Sequence, residues 1–347
     1  MGRGGRGGEL PTIYDVARAA GVAPSTVSRA FSRPGRVKSE TAEKIRAVAA
    51  ELGYRTNPIA RALPTGRTGM IAMVLSDITN PFYFEIIRGV EAAAAEAGYT
   101  LLLADAQESV QLEREAVDRL LPAVEGLLLG TSRMADSAIR MAAKQRPTVV
   151  LNRGVADVPS VVPDNASGTR KAVEHLHVLG HRSITYVAGP EASWADGLRW
   201  RSLRDAAHAF DTKVRRVGPN PPTLAGGAAA AKAVLEQQTS AVVAYNDLLA
   251  IGLMRGLADA GIRVPQHISV VGYDNIFGSD FCSPPLTTVA SPLRVLGVSA
   301  LQYLVVQIKG SRPHTGEPIM LPMQLVVRGS TAPRRVAYRS RKRTSPA

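Results

Sequence analysis

The residues best suited to chemistry in this 347-residue chain lie side by side in Pro24-Ser25-Thr26-Val27-Ser28-Arg29. Small hydroxyls beside one arginine suit the reading of base edges. A guanidinium can reach guanine O6 and N7 with two parallel bonds, and short side chains let a helix approach closely. The spacing predicts that helix and a partner for it. Ile13, Val16, Ala17 and Ala20 recur at helical intervals, Gly21 offers a turn without a Cβ, and Pro24 can open a second helix where its missing N–H is no loss. Val27, Ala30 and Phe31 then face the first helix and leave Ser25, Thr26, Ser28 and Arg29 on or near the outer side. An ordinary helical hairpin with a solvated face has the same pattern. A third helix follows, with Ser39 as its cap, Glu40 and Glu43 in its first turn, Ile45, Val48 and Leu52 inside, and Gly53 at its end.

Catalytic motifs are missing by contrast. The sequence has no GxxxxGK, no GxGxxG after a strand, no GxSxG and no HExxH. His175, His177 and His181 form the tightest histidine group. Zinc wants more ligands, and the one cysteine, Cys282, is far away in sequence, so these histidines read as structural. No enzyme activity, metal or cofactor is expected.

Net charge is +13, and its placement says more than its size. Residues 1–69 hold 12 basic and 5 acidic side chains, residues 328–347 hold 7 basic and none acidic, and residues 70–327 are close to neutral with 23 against 24. Charge concentrated at the expected groove-reading head is the footprint of a polyanion partner. A lone cysteine permits no internal disulfide, and Gly2–Gly8 has no apolar core of a secretory signal, so a reducing cytoplasm is the expected setting. No apolar run approaches the ~20 residues of a membrane span, and no membrane partner is expected.

From Met70 the pattern becomes short apolar runs alternating with amphipathic segments. MIAMVL, TLLLAD, GLLLG and TVVL read as buried parallel strands, with helices near 83–97, 109–121 and 134–145 between or beside them. A second series follows: helices near 165–179, 196–209, 225–237 and 247–260, and strands ITYVAG, SAVVAY and ISVVGY. Two doubly wound α/β units are expected.

YDVARAAGVAPSTVSRAF and VKSETAEKIRAVAAELGYRTNPIARAL resemble the head and hinge of the lactose/galactose repressor family of bacterial transcriptional regulators. The resemblance continues through SDITNPFYFEIIRGVE, VEHLHVLGHRSITYVAGP, AVVAYNDLLAIGLMRGLADAGIRVPQHISVVGYDN and PPLTTV, covering nearly all of residues 11–333. It implies a small all-α helix-turn-helix head and an α/β body of two doubly wound parallel-sheet lobes, periplasmic-binding-protein-like, with three crossovers. The implied divisions are a disordered basic tail at 1–10, the head at 11–57, a hinge helix and linker at 58–69, a first lobe at 70–163 and 290–316, a second lobe at 164–289 and 317–333, and a disordered basic tail at 334–347. The crossovers would fall near Val162–Asn165, Val289–Pro292 and Gly310–Pro322.

As function, the resemblance implies a repressor that binds a palindromic double-stranded DNA operator as a homodimer, controlled by a small-molecule effector, a sugar or related metabolite, in the inter-lobe cleft. Thr12, Tyr14, Pro24, Ser25, Thr26, Ser28, Arg29, Arg36, Tyr54, Asn57, Ala60 and Leu63 would meet DNA, with Leu63 as a minor-groove wedge beyond a short hinge helix opened by Asn57 and Pro58. Open α/β sheets bind ligands at the carboxyl ends of their strands, and the positions there that match the family's cleft are Asp77, Phe82, Tyr83, Asn152, Ser193, Arg199, Asn246 and Asp274. A carboxylate, an arginine and amides suit a polyhydroxylated ligand. Asp77 and Asn80 also suit the turn into Pro81, and Asp247 suits a helix cap. Pro222 and Leu293 stand where some sugar-binding members carry aromatics, so Trp194 or Trp200 would have to supply a stacking face. Two other readings stay open: a sugar-binding protein without gene control, and an activator or co-repressor-dependent regulator of the same family.

Overall fold

The computed structural model describes residues 11–32, 35–54, 67–310 and 316–334, without the side chain of Ser32. The chain forms two compact units, divided between Gly69 and Met70. The tails before Pro11 and after Arg334, and hinge residues Asn57, Pro58, Ala60, Leu63 and Pro64, lie outside the described residues.

In the first unit, α1 spans Ile13–Ala20, α2 Pro24–Ser32 and α3 Ser39–Glu51. Asp15 accepts both the N–H (2.9 Å) and the hydroxyl (2.7 Å) of Thr12, so orphan donors at the α1 start are satisfied. Gly21 ends α1 at φ +69, a conformation that only glycine adopts without strain. Val16, Ala17, Ala20, Val27, Ala30, Ala42, Ile45 and Ala49 bury into one core, and Phe31, Val48 and Tyr54 pack at its edge. Ser39 lies inside α3 and donates to Glu43 (3.2 Å); Lys38 occupies the cap position without a side-chain bond, because the chain enters one residue earlier than the serine signal suggests.

The second unit holds two lobes. The first has strands β1 (Met70–Leu75), β2 (Thr100–Asp105), β3 (Gly126–Gly130), β4 (Thr148–Leu151), β5 (Ser160–Pro163) and, from far downstream, β11 (Ile319–Leu321), in the order β11-β5-β4-β3-β1-β2 and all parallel. Helix α4 (Phe82–Ala97) and the late helix α12 (Leu293–Ile308) cover one face, and α5 (Val110–Leu120) and α6 (Asp136–Gln145) the other. The inner strands β1, β3 and β4 are almost wholly apolar because both faces are buried, while the edge strands β2 and β11 are partly exposed.

The second lobe has β6 (Ser183–Val187), β7 (Lys213–Val217), β8 (Ala241–Ala244), β9 (Ser269–Asp274), β10 (Thr287–Ala290) and β12 (Gln324–Val326), in the order β12-β10-β9-β8-β6-β7, with only β12 antiparallel. Its helices are α7 (Asn165–Val178), α8 (Trp194–Ala209), α9 (Leu224–Ala229), α10 (Ala231–Glu236) and α11 (Asp247–Asp259). The single helix expected near 225–237 is therefore two short ones.

Three crossings join the lobes, after Pro163, after Ala290 and between Leu321 and Gln324. Residues 317–321, expected in the second lobe, instead carry β11, which pairs with β5 of the first sheet. Ile319-Met320-Leu321 is apolar but only three residues long, too short to show a strand period or to say which sheet it joins. Each lobe also has one glycine-spaced helix crossing. A Cβ on Gly89 of α4 would lie 2.3 Å from the Arg294 carbonyl oxygen of α12, and one on Gly227 of α9 would lie 2.2 Å from that of Leu249 in α11.

Candidate functional site

The carboxyl ends of the strands converge on one cavity within the second unit. The first lobe lines it with Ser76, Asn80, Phe82, Tyr83, Glu108, Thr131, Arg133 and Asn152, the second with Arg199, Pro222, Tyr245, Asn246 and Asp274. Ser76 follows β1, Thr131 and Arg133 follow β3, and Asn152 follows β4. The phenol of Tyr83 lies 2.7 Å from both the Ser76 and the Thr131 hydroxyl, and burial pushes its pKa well up, so it stays a neutral member of this network. Arg133 grips Glu108 with two bonds, Nε to Oε2 (2.7 Å) and Nη2 to Oε1 (3.1 Å). Asn152 is buried at φ +60, and its Oδ1 has no hydrogen-bond partner among the described residues. Glu108 and Thr131 share that left-handed conformation, at φ +58 and +56. Such backbone is uncommon for residues with a Cβ, most of all for β-branched threonine, and it concentrates at ligand sites.

Across the cavity Arg199 is fully enclosed. It donates from Nη2 to Asp274 Oδ1 (2.9 Å), from Nε to Asn165 Oδ1 (3.0 Å) and from Nη1 to the Tyr245 carbonyl, and its guanidinium lies 3.8 Å from the Tyr273 ring centroid and 5.2 Å from that of Tyr245. Burial opposes the charge of Arg199, but Asp274 and the surrounding tyrosines more than offset it, so its pKa is raised. Asp274 is pushed up to about 6 by burial, against the pull of Arg199, and remains mostly ionised at neutral pH. Asn246 caps α11 by accepting the Leu249 N–H (2.9 Å). Asp247 beside it is buried, bonded to Thr288 Oγ1 (2.6 Å) and the Ile276 N–H (2.9 Å), and raised to about 8 by burial and then by the Asp274 charge.

In the first unit Ser25 and Arg29 of α2 are exposed, as are Thr12, Tyr14 and Arg36, while Pro24, Thr26 and Ser28 are half-buried. Arg29 lies back along its helix, with Nε on the Ser25 carbonyl (3.1 Å) and Nη2 on the Ser25 hydroxyl (3.2 Å). Tyr54 packs against Phe31, ring centroids 6.0 Å apart, so its apolar part closes the head core.

Comparison with known proteins bears on both units. Residues 12–57 match the family model described as bacterial regulatory proteins, lacI family, and residues 173–331 match that of the periplasmic binding protein-like domain. The HTH-type transcriptional repressor CytR of Escherichia coli (strain K12) is 32% identical over 328 residues, 92% of this chain and 96% of that protein. The chain belongs to the lacI family. The HTH-type transcriptional regulator DegA of Bacillus subtilis (strain 168) is 33% identical over 332 residues, 93% of this chain and 98% of its own length. Among solved structures, a lac repressor dimer bound to operator and the anti-inducer ONPF is similar with a TM-score of 0.84 and 28% identity, over 93% of this chain and 100% of that one. A lacI-family regulator from Enterococcus faecium with bound ribose has a TM-score of 0.69 and 30% identity, over 77% of this chain and 100% of its own. This lacI-family chain is a DNA-binding transcriptional regulator.

Of the eight cleft residues expected from the sequence, Phe82, Tyr83, Asn152, Arg199, Asn246 and Asp274 line the cavity of this regulator. Asp77 and Ser193 do not. Asp77 Oδ1 accepts the N–H (2.9 Å) and hydroxyl (2.6 Å) of Thr79 and shapes the turn. Ser193 caps α8 through the Asp196 N–H (3.2 Å) and touches the Tyr245 hydroxyl (3.0 Å) from behind. Neither Trp194 nor Trp200 reaches the cavity wall; Trp200 stacks on Tyr186 at 5.8 Å. Leu293 belongs to the first-lobe core, and Pro222 alone of those two lines the cavity. Asn80 does both jobs, accepting the Phe82 N–H (3.0 Å) while facing the cavity. Sequence reasoning missed Ser76, Glu108, Thr131, Arg133 and Tyr245. All five follow strand ends, and the rule that placed Asn152 applies equally to the loops after TLLLAD and GLLLG. Of the histidine group, His181 lies beyond the end of α7, where its ring bonds Ser240 and Ser269. Among the described residues no helix is long and apolar enough to cross a membrane.

Proposed function

We propose that this chain is a repressor that grips a palindromic operator as a homodimer, one α2 per half-site, and that a small hydroxyl-bearing effector in the cavity sets its affinity. The observation that carries the reading is the pairing, in one chain, of an exposed Ser25–Arg29 face on a packed three-helix head with a polar cavity lined from both lobes. Arg29 is the proposed base reader, and Phe82, Tyr83, Asn152, Arg199, Asn246 and Asp274 are proposed effector contacts. Two-fold symmetry in the protein mirrors two-fold symmetry in a palindromic site, which supports a dimer. The cytoplasm is the proposed compartment, since a regulator of this kind works where the genome is. A regulator also suits the cavity better than an enzyme does, because the arginines and carboxylates on its wall are tied to each other and none is poised to move a proton.

Footprinting on genomic fragments tests the reading. A short protected palindrome is expected, and Arg29→Ala should weaken it by about 1–3 kcal/mol while relaxing preference at one base pair per half-site. Equal losses on specific and random DNA would remove Arg29 from base reading, and the absence of any protected site would overturn the proposal.

A further inference from the structure

The charged side chains on the cavity wall form two closed pairs, Glu108 with Arg133 in the first lobe and Arg199 with Asp274 in the second. Among the described residues no lysine lines the cavity. An arginine recognises phosphate or carboxylate best through a fork of two parallel N–H groups. In Arg133 both Nε and Nη2 are already spent on Glu108, at 2.7 and 3.1 Å. Beneath it the buried carboxyl group of Glu113 accepts the Arg133 main-chain N–H (2.8 Å), adding a further acidic group near the same wall. Arg199 is committed on three sides. Among the described residues an anion entering this space would leave water to meet only cations already neutralised by a carboxylate, which is a poorly compensated loss. A hydroxyl meets no such barrier. It can donate to Asn152 Oδ1, which has no partner among the described residues, and replace its water contacts one for one.

We propose that the cavity takes an uncharged, hydroxyl-rich molecule and rejects its phosphorylated counterpart, with Glu108 as the specificity-determining residue because it occupies the fork of Arg133. The inference rests on the reading of the cavity as the effector site. It assigns Glu108 more than the holding together of the loops after β2 and β3, which the same ion pair also does.

The test is calorimetric titration of the full chain with three matched pairs: D-ribose and D-ribose 5-phosphate, D-glucose and D-glucose 6-phosphate, adenosine and AMP. At least one uncharged member should bind, with its phosphate weaker by about ten-fold or more, the order of one charged hydrogen bond. Glu108→Gln, which frees the Arg133 fork, should narrow that gap by about ten-fold through tighter binding of the phosphate, and Glu108→Asp should keep it. A loss of loop structure alone would weaken both members together and leave the ratio unchanged. If Glu108→Gln does not fold, the ratio in the unaltered protein and in Glu108→Asp still decides. The proposal is overturned if the phosphate binds as well as its parent, if no member of any pair binds at millimolar concentration, or if folded Glu108→Gln keeps the gap. A preferred phosphate that also releases operator DNA would sink the neutrality of the ligand and leave the repressor reading intact.

Discussion

The two lobes contribute to one cavity by different means. The second lobe encloses a single ion pair: Arg199 and Asp274 expose 2% and 6% of their side chains, and tyrosine rings flank the guanidinium. The first lobe presents a looser wall, in which Glu108 keeps 27% of its side chain exposed, Ser76, Tyr83 and Thr131 exchange neutral hydrogen bonds, and Glu108, Thr131 and Asn152 stand on left-handed backbone. A buried pair cannot adjust without losing its compensation, whereas hydroxyls rotate to suit what arrives. The second lobe thus acts as the fixed anchor and the first as the selective face.

The largest effect should come from breaking the anchor. Asp274→Ala leaves a buried guanidinium without its counter-ion and should destabilise the second unit by about 3–5 kcal/mol in urea titration. Where the variant still folds, operator binding should persist and the effector response vanish. If Glu108→Ala costs as much stability, the contrast between the two walls is wrong. Next come the glycine crossings. Gly227→Ala and Gly89→Ala each drive a Cβ into a facing carbonyl and should cost about 1–3 kcal/mol by thermal melting, alike in the two lobes because the packing there is alike. Tyr83→Phe strips one member from the hydroxyl network at about 1–3 kcal/mol, and calorimetry should show weaker binding of a hydroxyl ligand, since Ser76 and Thr131 are left to reorient. An unchanged affinity would mean that the network is scaffolding only.

A further effect is one of pH. Asp247 is raised to about 8 from an ordinary 3.8, so its protonated form favours the folded state. That contribution is complete below about pH 4 and is lost as the pH rises through about 8. Asp274, raised to about 6, adds a slope of the same sign. Melting temperature of the second unit should therefore fall across this range, and Asp247→Asn should flatten the fall. A slope that survives the substitution would move the titration elsewhere.

The sequence revealed the anchor more readily than the selective wall, and the reason is physical. Asp274 ends a fully buried strand, and Arg199 occupies a position that matches the family's cleft, whereas Glu108 and Arg133 stand among polar loop residues where charge usually means solvent. The same holds for the fold. MIAMVL and GLLLG could be read because both faces of each strand are buried, but β7, with sequence KVRRV, is an edge strand whose charged side chains hide its conformation. Asp77 was over-read for the opposite reason: a carboxylate after a strand suits a ligand and a turn equally, and only the 2.6 Å bond to Thr79 tells them apart.

The late return of α12 and β11 to the first lobe has a bearing on biosynthesis. Residues 164–292, 129 in all, must leave the ribosome before Leu296, Leu301 and Leu304 can cover the apolar side of a sheet begun at Met70. At ~5–20 residues per second the nascent first lobe waits roughly 6–26 s with that side open. The second lobe lacks only one short antiparallel strand by the time Ala290 emerges. It should be the earlier of the two to become protease-resistant on the ribosome, and the half-built first lobe should be where chaperones engage the nascent chain.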